Sequence, residues 1–185
     1  MAIIVVGGGG RGAGKTALVC GLMRALPEIP WTAVKITTHE HGKPNPIWEE
    51  TEPGEGTDTS RYLAAGARRS LLVTAGDDTL ELNVQQILRE CLPPAGTIPS
   101  GIIFESNSVL RHLRPDVCLC AATSPWMREK QSYNYLSEHM DAMVELAGHD
   151  HIIEAEKITF RLASMERVSP TMLEWLRERL GDRLP

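Results

Sequence analysis

A run of glycines that follows an aliphatic segment near the start of the chain constrains its fold most strongly. Residues 3–6 read IIVV, and the segment from Gly9 to Thr16 reads GGRGAGKT before helix-forming residues follow. This segment matches the pattern G-x-x-x-x-G-K-[S/T], which lies between a strand and a helix. Glycines leave room for backbone N–H groups to point inward, so the loop and the helix N-terminus predict a site for a nucleotide phosphate.

Two residues of this loop have specific expected roles. We expect Lys15 to contact the β- and γ-phosphates as a positive charge, and the Thr16 hydroxyl to bind a phosphate-bound Mg²⁺. The alternative, a glycine-rich turn with an incidental lysine, is disfavoured because the strand, the spacing and the helix all fit the motif. The predicted nucleotide-binding residues are Gly9, Gly10, Arg11, Gly12, Ala13, Gly14, Lys15, Thr16 and Ala17.

Short aliphatic segments alternate with helix-period segments along the rest of the chain, which is typical of an α/β protein. Unbroken aliphatic strands suit a parallel sheet that is covered on both faces. Together with the loop, this pattern predicts a three-layer P-loop NTPase with a mostly parallel, doubly wound sheet, in a single domain over residues 1–185. The predicted strands are 2–6, 31–36, 70–74, 101–105, 117–121 and 151–153, and the predicted helices are 15–26, 58–66, 79–91, 127–147 and 170–180.

The last predicted helix has clear signals at both ends. Ser169 is expected to cap its N-terminus, and Pro170 suits the first helical position. Gly181 is expected to end the helix, because glycine readily leaves the helical conformation. We therefore expect this helix to close the domain.

Residues 37–57 fit neither a helix nor a strand pattern, because prolines and glycines interrupt a polar stretch. We expect a long functional loop that senses a substrate. Within it, His39 and His41 would point the same way in an extended segment. Two histidines without a nearby thiol make an incomplete zinc site, so a solvated or phosphate-facing pair is the favoured interpretation.

An acidic side chain is expected beside Thr16 to complete a magnesium site, at the end of a strand next to the first one. Glu105 ends the predicted strand 101–105 and is the first candidate, for the outer shell of the metal or for activation of water. A solvated carboxylate at a strand end is the alternative. Asp58, which follows residues 37–57, is the second candidate. Lys15, Asp58 and Glu105 are therefore the candidate catalytic residues, with Thr16 and Glu105 at the metal.

Composition limits the classes of partner and the cellular compartment. With 24 acidic and 19 basic residues the net charge is −5, which argues against nucleic acid or an anionic membrane as a partner. No apolar segment approaches the ~20 residues that a membrane span needs. Four cysteines in apolar surroundings and the lack of a leader pattern predict a cytoplasmic protein with reduced thiols. We expect Cys118 and Cys120 to pack in the core.

The order of motifs resembles that of a known family. The phosphate loop precedes a strand that carries Lys35, His39 follows closely, and residues 56–67 then read GTDTSRYLAAGA. This order is similar to that of the adaptor protein B family of molybdopterin-guanine dinucleotide biosynthesis, which are small P-loop proteins. The matching positions are Gly9, Gly14, Lys15, Thr16, Lys35, His39, Gly56, Asp58, Ser60, Arg61, Ala65, Gly66, Ala67 and Glu105.

This resemblance implies a homodimeric helper that binds GTP with Mg²⁺ and hydrolyses it slowly. It implies that the protein assists guanylylation of the molybdenum cofactor, with a cofactor-biosynthesis enzyme or molybdopterin as partner. The chain departs from the family at Thr57, where a lysine is usual, and at Ser106 and Asn107, where a glycine follows the acidic residue.

A second function uses the same residues. In a small-molecule kinase or ATP-dependent ligase, Lys15 and Mg²⁺ would neutralise charge while residues 37–57 close over an acceptor. Lys35, His39 and Arg61 would then bind an anionic substrate. For Arg61, a surface ion pair with Asp58 is the alternative. Because the guanine-reading N-K-x-D signature is absent, the residues alone leave GTP and ATP both open.

Overall fold

The computed structural model describes residues 1–38, 46–92, 100–122, 132–146 and 158–184. Within these ranges the strands are β1 (Ala2–Gly8), β2 (Trp31–Thr37), β3 (Ile47–Glu50), β4 (Arg69–Thr74), β5 (Gly101–Glu105), β6 (Val117–Ala122), β7 (Ala142–Leu146) and β8 (Ile158–Leu162). The α-helices are α1 (Lys15–Ala25), α2 (Asp58–Ala64), α3 (Asp77–Glu90), α4 (Ser132–His139) and α5 (Pro170–Leu180). Short 3₁₀ helices span Ser108–Arg111 and Gly181–Arg183.

The eight strands of the described ranges belong to one sheet, in the order β3-β4-β2-β5-β1-β6-β7-β8. Neighbouring strands are parallel except at one edge, where β3 runs antiparallel to β4. Because the side chains of a strand alternate between faces, Val5 packs in the core on one face while Ile4 and Val6 pack in the core on the other. The predicted α/β fold with a mostly parallel sheet is therefore confirmed.

Helices cover both faces of this sheet. The core that contains Ile4 is completed by α1, α2 and α5, through residues such as Leu18, Tyr62 and Met172. The opposite core is completed by α3 and α4, through residues such as Leu80. Two helical layers thus enclose one sheet, which is compatible with the predicted three-layer arrangement.

Local sequence signals locate most elements correctly. The predicted strands 2–6, 31–36, 70–74, 101–105 and 117–121 overlap β1, β2, β4, β5 and β6, and the predicted helices 15–26, 58–66, 79–91 and 170–180 overlap α1, α2, α3 and α5. The predicted caps of α5 are also confirmed, since Ser169 Oγ accepts from the Met172 N–H at 3.2 Å and Pro170 is the first helical residue. The predicted strand 151–153 lies outside the described residues.

The prediction of one helix over 127–147 is wrong in its second half. The structure describes a helix at α4, and residues 142–146 then form β7 between β6 and β8. Met140, Met143 and Val144 have helical spacing, but all three are buried, and Asp141 joins the chain to β6 by accepting from the Cys118 N–H at 2.8 Å. Pairing with β6 therefore overrides the local period.

The prediction of a loop throughout residues 37–57 is also wrong in part. β2 continues to Thr37, and β3 forms an antiparallel edge strand within the segment. A four-residue strand at a sheet edge has too few alternating positions to give a sequence signal. The strand β8 at the opposite edge was missed as well, although its sequence ITFRL alternates apolar and polar residues, a pattern typical of a strand.

The cysteines occupy the positions expected of core residues. Cys118 and Cys120 are buried on the face covered by α3 and α4, and Cys20 is buried under the opposite layer. Burial raises the pKa of the Cys120 thiol to about 12, although the charge of Lys15 opposes the shift. None of the four cysteines, all of which lie in the described ranges, forms a disulfide. No helix in the described part of the chain is long and apolar enough to cross a membrane.

Replacing Gly101 by alanine is expected to destabilise the fold. A Cβ atom at Gly101 would overlap the ring of Trp31, which is buried and held by a 2.9 Å hydrogen bond from Nε1 to the Leu26 carbonyl. Overpacking of this kind costs about 2–3 kcal/mol, measured as the change in free energy of unfolding in urea. The control Gly56→Ala places its Cβ in open space and should cost less than about 0.5 kcal/mol. Equal unfolding midpoints for the two variants would contradict this account.

Candidate functional site

Three neighbouring strands bring predicted site residues to one edge of the sheet. β5 lies between β2 and β1, and the three strands are parallel, so their carboxyl ends meet at the same edge. In this register Lys35 of β2 pairs with Glu105 of β5. Both point to the face covered by α1 and α2, because Ala33 and Ile103, two residues earlier, pack in that core. Lys35 and Glu105 therefore lie side by side.

Glu105 is the centre of a cluster of polar groups. Its side chain is buried, with the residue 2% exposed. The Tyr62 hydroxyl donates to Oε2, and Lys35 Nζ forms an ion pair with Oε1. Thr16 Oγ1 lies 2.8 Å from Glu105 Oε2 and 3.0 Å from Asp58 Oδ1. We refer to Thr16, Lys35, Asp58, Tyr62 and Glu105 as the Glu105 cluster.

Asp58 is positioned in this cluster by the start of α2. Thr57 and Ser60 form a capping box, in which Thr57 Oγ1 accepts from the Ser60 N–H and Ser60 Oγ accepts from the Thr57 N–H, both at 3.0 Å. This pairing begins the helix at Asp58, where the helix dipole favours a negative charge. Thr57, one of the departures from the family pattern, therefore has a structural role here.

Lys35 links the two carboxylates of the cluster. Its Nζ lies 3.0 Å from Asp58 Oδ2 and also contacts Glu105 Oε1. Burial lowers the pKa of Lys35, but the charges and hydrogen bonds of Glu105 and Asp58 outweigh it, so the pKa is raised above its usual value. Burial raises the pKa of Asp58, whereas the hydrogen bonds from Lys35 and Thr16 lower it, with a net decrease. Both groups therefore remain charged near neutral pH.

Tyr62 is a member of the cluster that the sequence did not reveal. It is fully buried in the core, and burial together with Glu105 raises the pKa of its hydroxyl well above the usual value. The phenol therefore stays protonated and acts as a donor to the Glu105 carboxylate. The sequence did contain one signal for Tyr62. It lies four positions after Asp58, and residues four apart on a helix lie on the same face, so both could have been expected at the same site.

The Thr16 hydroxyl lies within hydrogen-bonding distance of two carboxylate oxygens but can donate to only one of them at a time. A hydroxyl carries one hydrogen, yet Thr16 Oγ1 approaches oxygens of both Asp58 and Glu105. Magnesium prefers such oxygen ligands and binds one or two carboxylates together with water and phosphate. Among the described residues, no group of three or more His, Cys, Asp or Glu side chains could hold a metal ion. Thr16 and the two carboxylates would therefore need further ligands, such as a bound phosphate and water, to hold a magnesium ion.

The glycine loop begins where β1 ends and leads directly into α1. Gly12 and Gly14 have φ angles of 79° and 81°, in the left-handed region that favours glycine. The first turn of α1 has no acidic residue, and its N-cap position has no side-chain hydrogen bond. Lys15 Nζ donates to the Gly10 carbonyl at 2.6 Å, so the lysine folds over the loop. The predicted loop residues and Thr16 are thus brought together at one helix N-terminus.

Asn107 is a second residue that sequence reasoning missed. Its side-chain Oδ1 accepts from the Gly8 N–H at 2.9 Å, and its Nδ2 donates to the Gly8 carbonyl at 3.0 Å. The amide thereby continues the hydrogen-bond pattern of β1 at the start of the loop. A Cβ atom at Gly7 would come within 2.6 Å of Asn107 Oδ1, so a larger residue there would force the Asn107 side chain to shift. Asn107 stands where the chain departs from the family pattern, and here it fixes the entry to the loop.

A cavity of about 1010 Å³ joins the loop and the Glu105 cluster. This volume is at the upper end of what small-molecule sites require, about 300–1,000 Å³. It extends past the loop to β3, β4 and α3. The lining residues are Gly8, Gly10, Arg11, Lys15, Lys35, Ile36, Thr37, Thr38, Glu50, Gly56, Thr57, Asp58, Thr59, Leu72, Ala75, Asp77, Leu80, Glu105, Ser106, Asn107 and Ser108.

Arg61 contacts a different part of the surface. Its guanidinium pairs with Glu166 at 2.9 Å and with Glu55 at 3.6 Å, and within the described part of the chain it is not among the lining residues of the cavity. The ion pair between Arg61 and Asp58, which was the alternative to substrate binding, is therefore not formed. The assignment of Arg61 to substrate binding stays a prediction. His39 lies outside the described residues, so Lys35 is the member of that set found at the cavity.

Removing the Tyr62 hydroxyl is expected to destabilise the protein without disturbing the packing of the ring. Tyr62→Phe leaves a buried carboxylate oxygen with one donor fewer, which costs about 1.5–3 kcal/mol for a hydrogen bond to a charged group. Urea denaturation measures the loss. The matched control is Tyr135→Phe, at a half-buried ring that lies under Arg111, with an expected change below about 0.5 kcal/mol. A stability of Tyr62→Phe equal to that of the control would show that the contact contributes nothing.

The contribution of Asp58 to stability is expected to depend on pH. Because its pKa is lower in the folded protein, the stabilisation is present above the unfolded pKa of about 3.9 and is lost as the pH falls through the folded value. The difference in free energy of unfolding between the wild type and Asp58→Asn should therefore shrink as the pH falls below the unfolded pKa of about 3.9. The exposed Asp182, substituted in the same way, serves as the control. A difference that is constant from neutral to acidic pH would contradict the pairing.

The chain matches no protein-family model and no curated protein. Its function is therefore inferred from the geometry of the site together with the resemblance in its motifs.

Proposed function

We propose that this chain is a P-loop protein that binds a nucleoside triphosphate with Mg²⁺ in the cavity beside the Glu105 cluster. One observation carries the proposal. The Thr16 hydroxyl, at the start of the helix that follows the glycine loop, lies within 3.0 Å of carboxylate oxygens from both Asp58 and Glu105. A loop suited to phosphate and a group of oxygens suited to a metal therefore adjoin each other, as binding of a magnesium nucleotide requires.

The phosphate part of the proposal rests on the loop and Lys15. The left-handed glycines Gly12 and Gly14 and the start of α1 suit an anion, since helix N-termini carry partial positive charge. Lys15 already lies over the loop, bonded to the Gly10 carbonyl. On phosphate binding we expect its ammonium group to exchange that carbonyl for the β- and γ-phosphates. The loop would thus hold the β-phosphate, as its motif predicts.

The metal part of the proposal rests on the Glu105 cluster. Thr16 would bind Mg²⁺ directly, while Glu105 would orient its water ligands or a water molecule that attacks the phosphate. Asp58 would add the second carboxylate. When bound, Mg²⁺ supplies positive charge that offsets the charge of the phosphates. Tyr62 and Lys35 would hold the Glu105 carboxylate in place.

Within this class, we propose a GTP-binding helper in maturation of the molybdenum cofactor, dimeric and cytoplasmic, with slow hydrolysis. Support comes from the second signature of the resembling family, residues 56–67, because Asp58 and Tyr62 within it both contact other members of the Glu105 cluster. Lys35, which also matches the family, lies in the same cluster. Four of the residues that carry the resemblance therefore lie together although they are far apart in the sequence, namely Thr16, Lys35, Asp58 and Glu105. Arg61, which also matches the family, contacts a different part of the surface.

The shape of the cavity favours a second candidate, a kinase or ATP-dependent ligase that acts on a small molecule. The lining continues past the phosphate loop to Glu50 on β3, Leu72 on β4 and Leu80 on α3. This region adjoins the Glu105 cluster and offers both polar and apolar contacts. An acceptor bound there would lie next to the phosphates, as transfer of a phosphoryl group requires.

Titration calorimetry with GTP and with ATP, each with Mg²⁺, tests the proposal. Wild-type protein should bind at least one nucleotide, and Lys15→Ala should weaken binding by about a hundredfold through loss of a charge-assisted contact. The control Arg114→Ala removes an exposed charge from the segment before β6, which leads into the opposite end of the sheet, and should leave binding unchanged.

The choice of nucleotide decides between the two candidate functions. A preference for GTP supports the cofactor-maturation helper, whereas a preference for ATP favours the kinase or ligase. If the folded wild-type protein binds neither nucleotide, the proposal of a P-loop protein is wrong.

A further inference from the structure

Lys35 and Thr16 each contact one oxygen of the Asp58 carboxylate and one oxygen of the Glu105 carboxylate. Lys35 Nζ lies 3.0 Å from Asp58 Oδ2 and pairs with Glu105 Oε1. The other oxygens, Asp58 Oδ1 and Glu105 Oε2, face the Thr16 hydroxyl. An ammonium group and the proposed metal ligand Thr16 therefore share the same two carboxylates.

The charge balance explains why a lysine stands at this position. Glu105 is buried, and a buried carboxylate is costly unless a cation or several hydrogen bonds accompany it. Among the described residues, the ion pairs of Asp58 and Glu105 are both with Lys35. The lysine thus supplies the positive charge that these groups need when no metal is present.

A divalent cation at Thr16 would remove that need. Mg²⁺ carries twice the charge of an ammonium group, so at equal distance it attracts each carboxylate twice as strongly. The flexible stem of a lysine lets its ammonium group move without a shift of the backbone. Lys35 already lines the cavity, and its side chain is 21% exposed, so it has space into which to turn.

We propose that Lys35 is a built-in counter-cation that competes with the divalent metal for Asp58 and Glu105, and that binding of the metal with nucleotide releases its ammonium group into the cavity. The release rests on the proposed function, because it requires the metal to enter with a nucleotide. Once released, the ammonium group can bind an anionic group, either the terminal phosphate or a phosphate or carboxylate of an acceptor. Lys35 would in this way present its charge only after the metal has bound.

The first test measures metal binding without nucleotide. Mn²⁺, a paramagnetic substitute for Mg²⁺, is titrated into the full chain, and the free ion is quantified by electron paramagnetic resonance. Lys35→Met removes the charge but keeps most of the side-chain length, so it should bind Mn²⁺ at least about tenfold more tightly than the wild type. Affinity equal to or weaker than that of the wild type would overturn the proposal.

Two controls separate competition from a general change of charge. Arg114→Met removes an exposed positive charge from the segment before β6 that forms none of the ion pairs of the two carboxylates, so it should alter Mn²⁺ affinity by less than about threefold. The double variant Lys35→Met with Glu105→Gln should lose the tighter binding. If Arg114→Met tightens binding as much as Lys35→Met does, the effect is not competition at Glu105 and the proposal fails.

A second measurement uses the unaltered cluster, in case Lys35→Met does not fold. The ammonium signals of the lysines are recorded by ¹H–¹⁵N NMR, and the Lys35 signal is identified by its loss in Lys35→Arg, which keeps the positive charge. Addition of Mg²⁺ with nucleotide should shift or broaden this signal, whereas nucleotide with a chelator should leave it unchanged. An unchanged signal while calorimetry shows that the magnesium nucleotide is bound would overturn the proposal.

These outcomes also separate this inference from the proposed function. Tighter Mn²⁺ binding by Lys35→Met in a protein that binds no nucleotide would support the competition and reject nucleotide binding. Nucleotide binding without any effect of Lys35→Met on Mn²⁺ affinity would reject the competition alone.

Discussion

The buried carboxylate of Glu105 is the constraint on which the arrangement of the site depends. A charge that is removed from water must be offset by a cation and by hydrogen bonds, because the desolvation cost is several kcal/mol, roughly, for each ion. Lys35 on β2, Tyr62 on α2 and Thr16 on α1 provide that compensation. One charge at the end of the central strand β5 therefore ties a neighbouring strand and two helices together.

Such a cluster is better explained by function than by stability. Replacing a buried ion pair by apolar residues is often neutral or stabilising, so a fold that needed only stability would have little use for one here. The cluster lies at the carboxyl ends of parallel strands, where α/β folds bind ligands. It also adjoins a loop whose glycines and lysine suit phosphate. The charged residues Lys35, Asp58 and Glu105, which are unfavourable in a core, thus line the cavity.

Much of this site could be predicted from local sequence. The glycine loop, Lys15 and Thr16 form a continuous motif, and Glu105 could be identified because it ends an aliphatic strand. Lys35 was found through its position on β2 and the resemblance. The strand β7 was missed since Met140, Met143 and Val144 have helical spacing, and only pairing with β6 decides its structure.

The remaining site residues depend on contacts that sequence does not show. Tyr62 reaches Glu105 across 43 positions, and Asn107 reaches Gly8 across 99 positions. In the sequence, Tyr62 and Asn107 cannot be distinguished from ordinary core and loop residues. Their roles follow only from the strand register and the placement of the helices. Arg61 illustrates the converse case, because its guanidinium pairs with Glu166, 105 positions away, and not with Asp58, which spacing made an alternative partner.

Crystal structures of the protein with Mg²⁺ and non-hydrolysable analogues of GTP and of ATP would test most directly whether the glycine loop and the Glu105 cluster bind a magnesium nucleotide. We expect a phosphate group enclosed by residues 9–16, with Mg²⁺ bound by Thr16 Oγ1 next to Asp58 and Glu105, and with Lys35 Nζ moved away from both carboxylates. A nucleotide that is bound elsewhere, or a phosphate in the loop without a metal at Thr16, would contradict it.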